Sequence, residues 1–204
     1  MAEETARTPR EHILEAVITC IERDGIDSLT TRKIAEEAGT NIASINYYFR
    51  SKDLAVAEAL SMALKNSNAD IRAIVGEEGK PFEEVLETLL AYLIEGGLRY
   101  PGTTMAHMYP VLMTKQVDTP GGHLYRGMFE LLAARAVRDY SNRPPGIIRM
   151  ALAQALSAAT FDMLAPGMFQ PLTPVDLTRS GGPQVLAHYL TQMFVRSLDI
   201  PLRA

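Results

Sequence analysis

Apolar residues recur every three or four positions along most of this 204-residue chain. Near the N-terminus, for example, the spacing is followed by Ile13, Leu14, Val17, Ile18 and Ile21. This is the period of an α-helix with one buried face. No stretch alternates apolar and polar residues for long enough to predict a strand, so we expect an all-α protein.

Composition places the chain among ordinary globular proteins. Hydrophobic residues make up 47% and charged residues 22%, with a net charge of −4, which excludes a disordered or fibrous chain and gives no overall indication of nucleic-acid binding. The longest uninterrupted apolar runs, such as residues 89–94, are far shorter than the roughly 18 residues of a membrane span. Because the N-terminus is polar and resembles no signal peptide, we expect a cytoplasmic protein without a membrane partner.

The residue types that usually bind metals or catalyse reactions form no recognisable motif. Cys20 is the one cysteine of the sequence, and the four histidines lack the spacing of metal ligands on one helix. There is no nucleophile motif and no Gly-rich phosphate loop. We therefore expect no metal, no cofactor and no enzymatic activity.

Two short helices are predicted at about residues 31–38 and 42–48, with only Gly39, Thr40 and Asn41 between them. Gly39 suits a sharp turn with positive φ, and Asn41 is a good N-cap for the second short helix. Together with the preceding helix, this is the sequence form of a helix-turn-helix. Its small core would contain Ile34, Ala35, Ala38, Ile45 and Phe49.

The second short helix carries no charge but several hydrogen-bonding side chains. A solvated surface helix usually carries Lys and Glu, so an uncharged polar face is typical of contact with the major groove of DNA. The polar residues are Asn41, Ser44, Asn46, Tyr47 and Tyr48, and they are bracketed by Arg32, Lys33, Arg50 and Lys52.

Residues 30–39 (TTRKIAEEAG) and 45–54 (INYYFRSKDL) resemble the DNA-binding signature of the TetR family of transcriptional regulators. The resemblance is specific over about residues 10–60. Beyond them it is architectural, because the total length and the series of helices are similar to those of the family. It implies a homodimer, a divergent ligand-binding domain, and repression of transcription that a small molecule relieves.

The resemblance also implies roles for individual side chains. Thr30, Thr31 and Lys52 would contact phosphates, and Arg32 would reach a phosphate or a base edge, with guanine as the natural partner of its guanidinium. Two residues near the start of the second short helix would lie against base edges, namely Ala43 and Ser44.

The chain departs from the family pattern at one point. It has Asn46-Tyr47-Tyr48-Phe49 where the family most often has Tyr-x-His-Phe. Either tyrosine could contact a phosphate, with Tyr48 favoured, and Asn46 could pair with an adenine. Asn41 is first a helix cap and could also face the DNA.

The remaining chain is rich in methionine, with nine of the ten Met residues from Met62 onward. Methionine fills irregular apolar space, which fits either a cavity for an apolar or amphipathic ligand or a loosely specified helical core. The best candidate segment is residues 105–113, where Pro110 is expected to break or kink a helix. The resemblance favours the middle helices as pocket walls, with Met105, Met108, Tyr109, Met113, Tyr125, Met128 and Phe129 as candidates.

Further helices are predicted at about residues 51–75, 82–98, 104–116, 122–140, 145–164 and 183–198. The last two have wide apolar faces, which could be ordinary core or a dimer interface in the form of a four-helix bundle. The family places its dimer interface on its final helices. We therefore expect a homodimer through these two helices.

The sequence thus predicts a helix-turn-helix DNA-binding domain at residues 1–55 and a helical ligand-binding and dimerisation domain at residues 56–204. The expected function is a repressor that binds a palindromic operator on double-stranded DNA as a homodimer and is released by a small apolar or amphipathic effector. An all-α binding protein without specific DNA recognition is the alternative. A helical enzyme is a second rival, which would need an acid-base pair or nucleophile that the sequence does not offer.

Overall fold

The computed structural model describes residues 8–169 and 172–200. Within them the chain forms nine α-helices, has a short 3-10 turn at Ile26–Ser28, and contains no strand. The predicted all-α class is therefore confirmed. The helices are α1 (Pro9–Asp24), α2 (Thr31–Glu37), α3 (Ile42–Phe49), α4 (Lys52–Gly76), α5 (Phe82–Arg99), α6 (Pro101–Thr114), α7 (Pro120–Asp139), α8 (Pro145–Leu164) and α9 (Gly182–Ser197).

The helix starts in the N-terminal part are set by short polar side chains. Thr8 and Glu11 form a reciprocal capping box at the start of α1, and Asn41 accepts a hydrogen bond from the Ser44 N–H at the start of α3. Ser51 accepts from the Leu54 N–H at 3.2 Å. The cap predicted at Asn41 is therefore confirmed, and Ser51 caps the start of α4.

The chain divides into two compact units. The first unit contains residues up to Asn66 together with Gly102–Pro120, and the second contains Ser67–Pro101 and the residues from Gly121 onward. The predicted domain boundary at residues 55 and 56 lies inside α4, which is continuous from Lys52 to Gly76. The predicted boundary separates a DNA-binding part from a ligand-binding part of the chain. The division into compact units does not test that separation, so the boundary stays a prediction.

The core of the first unit lies between α1, α2, α3 and the start of α4. Fully buried side chains from the first three helices include Val17, Ile34 and Ile45. Ala106 of α6 belongs to the same hydrophobic cluster. Apolar side chains contributed by each of these helices therefore hold the helix-turn-helix together, as the periodicity indicates.

The first turn of α6 is stabilised by a carboxylate of α1. Glu22 accepts hydrogen bonds from the N–H of Gly102 at 2.8 Å, from the N–H of Thr103 at 2.7 Å, and from the Thr103 hydroxyl. A Cβ on Gly102 would lie 2.6 Å from the Ile21 carbonyl oxygen, so only glycine allows this approach. The negative charge therefore satisfies the exposed N–H groups of a helix N-terminus.

The sequence predicts this helix at about residues 104–116. The predicted start is wrong, because α6 begins at Pro101. Proline is well suited to the first position of a helix, where its missing N–H costs no hydrogen bond. Tyr-Pro-Gly has the composition of a turn, and the acceptor that makes it a helix start is 80 residues away in the sequence.

The core of the second unit is formed mainly by α5, α8 and α9, which pack against one another. Leu89, Leu90 and Ile94 of α5 are fully buried there, and Phe194 of α9 is 2% exposed. The rings of Phe82, Tyr140 and Phe194 form a cluster with centroids 5.4–6.0 Å apart.

A buried arginine holds the end of α4. Arg135 of α7 is 7% exposed, and it donates to the carbonyl oxygens of Val75 at 2.6 Å, Glu77 at 2.7 Å and Lys80 at 2.7 Å. Its Nε lies 3.6 Å from Asp139. A positive charge among the last carbonyls of a helix stabilises that terminus, so this side chain satisfies groups that water would otherwise solvate.

One helix of the described residues, α8, is long and apolar enough to cross a membrane by length and composition alone. Its most apolar window has a mean hydropathy of 1.3, and 39% of that window is buried in the structure. The core helix of a globular protein satisfies the same criterion. We therefore take α8 as a core helix with a second, exposed face.

We predict that Glu22→Ala lowers the free energy of unfolding by about 2 kcal/mol, because three hydrogen bonds to a charged acceptor are lost. The urea concentration at the midpoint of unfolding measures this change. Glu78→Ala is the matched control, because Glu78 is exposed in the turn after α4. Equal midpoints for the two variants would show that Glu22 does not stabilise α6.

We predict that Arg135→Met lowers the free energy of unfolding by more, about 3 kcal/mol, because the carbonyls of Val75 in α4 and of Glu77 and Lys80 after it are then left without this donor. Arg138→Met is the control, since Arg138 is 72% exposed and contacts the same Asp139. We expect the control to stay within about 0.5 kcal/mol of the unchanged protein. Urea unfolding of both variants tests this, and a smaller effect at Arg135 than at Arg138 would contradict it.

Candidate nucleic-acid interface

The turn between α2 and α3 has the geometry that the sequence predicts. Gly39 has φ of +60°, and the Thr40 N–H donates to the Ala35 carbonyl at 2.9 Å. A Cβ on Gly39 would meet nothing within 4 Å, so the constraint is the backbone conformation and not the space around it. The turn places the start of α3 directly after the end of α2.

Two apolar side chains seat α3 in the first unit. Ile45 is 0% exposed and Phe49 is 4% exposed. Because they are four residues apart, they lie on one face of the helix, and the opposite face is left to solvent. The exposed residues of α3 are Ile42, Ala43, Asn46, Tyr47 and Tyr48.

The exposed face of α3 carries polar groups but no charge. Tyr47 is 81% exposed and Tyr48 is 36% exposed, with their rings edge to face at 5.1 Å between centroids. Asn46 is exposed, whereas the Asn41 side-chain oxygen is already used by the N–H of Ser44 at 2.9 Å and by its hydroxyl at 3.2 Å. Asn46, Tyr47 and Tyr48 therefore have side-chain groups available to a ligand.

The cations around α3 differ in how free they are. Arg32 has an 82% exposed side chain, and its Nε donates to Glu36 at 2.9 Å. Lys33 lies 3.1 Å from Asp24, whose pKa is held below its usual range by Arg23 first and then by Lys33. Lys33, which the sequence grouped with the rim cations, is therefore largely neutralised within the protein.

Two side chains have structural contacts that the sequence did not predict. Lys52 donates from Nζ to the Leu29 carbonyl at 3.1 Å, which connects the start of α4 to the segment before α2. Arg10 of α1 lies 5.0 Å from the centre of the Phe49 ring and donates to Glu58 of α4 at 2.6 Å. The partners are 23 and 48 residues apart in sequence, so no local pattern indicates them.

Thr30 and Thr31 lie at the start of α2. The Thr30 hydroxyl accepts from the Lys33 N–H at 3.2 Å and so caps the helix. Thr30 is exposed and Thr31 is half-buried. Ala43 is exposed and Ser44 half-buried in the first turn of α3. All the residues predicted to contact DNA therefore belong to the first unit.

The predicted ligand-binding residues are divided between the two units. On α6, Met108 is buried, whereas Met105, Tyr109 and Met113 are 42%, 43% and 67% exposed. Pro110 does not break this helix, which continues to Thr114.

The other three candidates lie on α7 in the second unit. Met128 is packed in the core, and Phe129 lies under Arg149 at 5.2 Å. The Tyr125 hydroxyl is 3.2 Å from the Thr160 hydroxyl, and burial raises the pKa of Tyr125. The role of these seven side chains stays a prediction.

The second unit contains an open cavity of about 550 Å³ that the sequence did not predict. None of the seven candidate side chains lines it. Its walls are formed by Glu95, Leu98, Arg99, Pro101, Met163, Leu164, Pro166, Leu177, Thr178 and Pro183. The residues converge from the end of α5, the end of α8 and the start of α9, and their separation in sequence explains why no motif indicates them.

No group of three or more His, Cys, Asp or Glu side chains within residues 8–169 and 172–200 could hold a metal ion. Cys20 is fully buried, and its Sγ lies 3.7 Å from the Lys33 carbonyl oxygen. Burial raises the pKa of the thiol. Cys20 is thus a small core residue of the helix-turn-helix.

Part of the chain is similar to known transcriptional regulators. Residues 13–59 match the family described as bacterial regulatory proteins, tetR family. The chain is 31% identical to the HTH-type transcriptional regulator PksA of Bacillus subtilis over 81 residues, and these residues make up 40% of each chain. It is 33% identical over 75 residues to the HTH-type nicotine-responsive transcriptional repressor HdnoR of Paenarthrobacter nicotinovorans, which covers 32% of this chain and 39% of that one.

The matched region therefore spans about two fifths of these curated relatives. Similarity in fold extends much further. The fatty acid degradation regulator FadR of Bacillus halodurans has a TM-score of 0.68 with 16% identity, over 93% of this chain and 95% of that one. At that identity the likeness shows the fold alone. Residues 13–59 thus combine helix-turn-helix geometry with a sequence match to the bacterial regulatory proteins of the tetR family.

Proposed function

We propose that this protein is a DNA-binding transcriptional regulator, a repressor that binds a palindromic operator as a homodimer and is released by a small molecule. The observation that carries the proposal is the exposed face of α3, which is polar and uncharged while Ile45 and Phe49 hold the opposite face in the core. A helix of this kind fits the major groove, where donors and acceptors on base edges distinguish sequences. Its place of action would be the cytoplasm.

The proposed base contacts come from α3 and the proposed phosphate contacts from its flanks. Ala43, Ser44 and Asn46 would face base edges, with Asn46 on an adenine. Asn41, as the cap of α3, would lie beside them. Arg32 uses its Nε for Glu36, which leaves the two terminal nitrogens of the guanidinium for a guanine or a phosphate.

The phosphate contacts would come from Thr30, Thr31, Lys52 and one of the two tyrosines. Lys52 has three N–H donors, of which one goes to the Leu29 carbonyl, and its Nζ lies 3.8 Å from the exposed Asp53 carboxylate, so donor capacity remains for a phosphate. The Thr30 hydroxyl accepts from Lys33 and can still donate. The sequence favours Tyr48, whereas the larger exposed fraction of Tyr47 favours Tyr47.

The proposed dimer interface is the solvent face of α8 and α9. Met150 and Phe161 of α8 are 44% and 45% exposed, and Val185, Tyr189 and Met193 of α9 are 56%, 59% and 47% exposed. On α9 these positions are four residues apart and form an apolar stripe, whereas on α8 the exposed Gln154 and Ser157 lie between Met150 and Phe161. These two faces, paired across a twofold axis, would form a four-helix bundle.

The proposed response to a ligand depends on α4. This helix starts at Lys52, beside the DNA-binding residues, and its last part belongs to the second unit. A ligand with different affinities for two positions of α4 would shift the population between them and change the separation of the two recognition helices. The nicotine-responsive relative HdnoR supports a small-molecule response in such a protein. The apolar composition and the Met-rich helices favour an apolar or amphipathic effector.

The central experiment is selection of binding sites from random duplex DNA with the purified full-length protein. We expect an inverted repeat whose half-sites are about one helical turn apart. We predict that Asn46→Ala weakens binding to this site by about 1–3 kcal/mol and relaxes the preference at one position of each half-site.

Asn66→Ala is the matched control, because Asn66 is exposed on α4 outside the proposed interface. Lys52→Gln should lower affinity for all sequences and reduce the salt dependence, whereas Lys65→Gln should not. If selection yields no consensus sequence and Lys52→Gln changes nothing, the alternative of a binding protein without specific DNA recognition is supported.

We predict that Met193→Glu weakens the dimer at least tenfold, because a carboxylate would be buried in an apolar interface without a partner. Sedimentation equilibrium measures the dissociation constant. Leu112→Glu on α6 is the control, because Leu112 is 53% exposed and outside the proposed interface. If Met193→Glu weakens the dimer no more than Leu112→Glu does, this face of α9 is not the dimer interface.

A further inference from the structure

We propose that the 550 Å³ cavity of the second unit is a binding site for an anionic amphiphile, a molecule with an apolar chain and a carboxylate or similar head group. The inference rests on the proposed ligand response, for which it names a site and a ligand class. The site differs from the pocket that the methionine pattern predicts on α6 and α7. The volume lies within the range of small-molecule sites.

The inner wall of the cavity is apolar. Met163 and Leu177 are 6% and 8% exposed, and Leu98 and Leu164 are half-buried. Three prolines complete the lining at Pro101, Pro166 and Pro183. Such a surface gains free energy by excluding water from a hydrocarbon chain, and it offers few hydrogen bonds to a polar body.

Close packing holds two of the walls in place. A Cβ on Gly97 of α5 would overlap the Met163 side chain, so Met163 can pack this closely on α5 because Gly97 has no side chain. On the other side, Asp176 accepts from the N–H of Thr178 at 3.0 Å and from its hydroxyl at 2.6 Å. A Cβ on Gly182 would overlap the Asp176 carbonyl. A cavity with walls formed in advance loses little entropy when a ligand binds.

The rim carries one negative and one positive side chain, Glu95 and Arg99, and Arg99 is the group that can pair with an anion. Arg99 is exposed in the last turn of α5, with its guanidinium 5.5 Å from the centre of the Tyr100 ring, and no carboxylate of the described residues forms an ion pair with it. Glu95, one turn earlier, accepts a hydrogen bond from the Gln184 side chain of α9. Arg99 can therefore pair with a head group at the rim while the chain of the ligand lies against the apolar wall.

Removing each of the two charges should change the affinity for the same ligand in opposite directions. Arg99→Gln should weaken binding of an anionic amphiphile by at least about tenfold, because a charge-assisted hydrogen bond is lost. Glu95→Gln should strengthen it by about twofold or more, because a like charge is removed while the amide can still accept from Gln184. A purely structural role of these residues would not give opposite signs.

The test is calorimetric titration of the full-length protein with dodecanoate, and with dodecyltrimethylammonium as a cation with the same chain. We expect dodecanoate to bind and the cation to bind at least tenfold more weakly. Arg72→Gln, an exposed arginine of the same unit, is the matched control and should leave the affinity within twofold. Leu164→Trp should abolish binding by filling the cavity, with circular dichroism to establish that the variant is folded.

Absence of dodecanoate binding, equal binding of the two probes, or equal effects of Arg99→Gln and Arg72→Gln would each overturn the inference. None of these results bears on the DNA-binding part of the proposed function, which selection from random DNA tests separately. Conversely, dodecanoate binding with the expected response to the variants would stand even if selection gave no operator. The two proposals can therefore fail independently.

Discussion

The packing of one face of α3 into the hydrophobic core is the constraint on which the first unit depends. The helix has only eight residues, and an isolated helix of that length is not stable in water. Burial of Ile45 and Phe49 holds it, and the positive φ of Gly39 sets the direction in which it leaves α2. Because the inward face provides the packing, the side chains of the outward face do not contribute to the core and can contact another molecule.

Charged side chains support this arrangement from several directions. Arg10 lies over the Phe49 ring and pairs with Glu58, which connects α1 to the end of α3 and to α4. Lys52 holds the Leu29 carbonyl, and Glu22 caps α6. In an all-helical fold, each helix end leaves backbone groups without partners, and ionic side chains from distant parts of the chain satisfy them here. Arg135 does the same for the end of α4 in the second unit.

These contacts also change the meaning of the net charge. Residues 1–55 contain seven Lys and Arg against ten Asp and Glu, a balance of −3 that would argue against DNA binding. Lys33 is paired with Asp24, so fewer cations are free than the sequence suggests. Arg32 and Lys52 keep part of their donor capacity. A surface of this kind would attract DNA weakly through charge, and its affinity would depend on base contacts and on two subunits acting together.

Local patterns in the sequence are enough to predict the helical class, the positions of α2 to α4, the glycine turn and the cap at Asn41. These features depend on apolar periodicity and on side chains within a few residues of the backbone groups they satisfy. Contacts between distant parts of the chain are needed to explain why α6 starts at Pro101, why Lys52 and Arg10 have structural partners, and how Arg135 holds the end of α4. They also explain why a cavity forms where the end of α5, the end of α8 and the start of α9 meet and not among the predicted side chains. Each of these depends on groups dozens of residues apart, and their proximity is a consequence of packing that no local pattern in the chain contains.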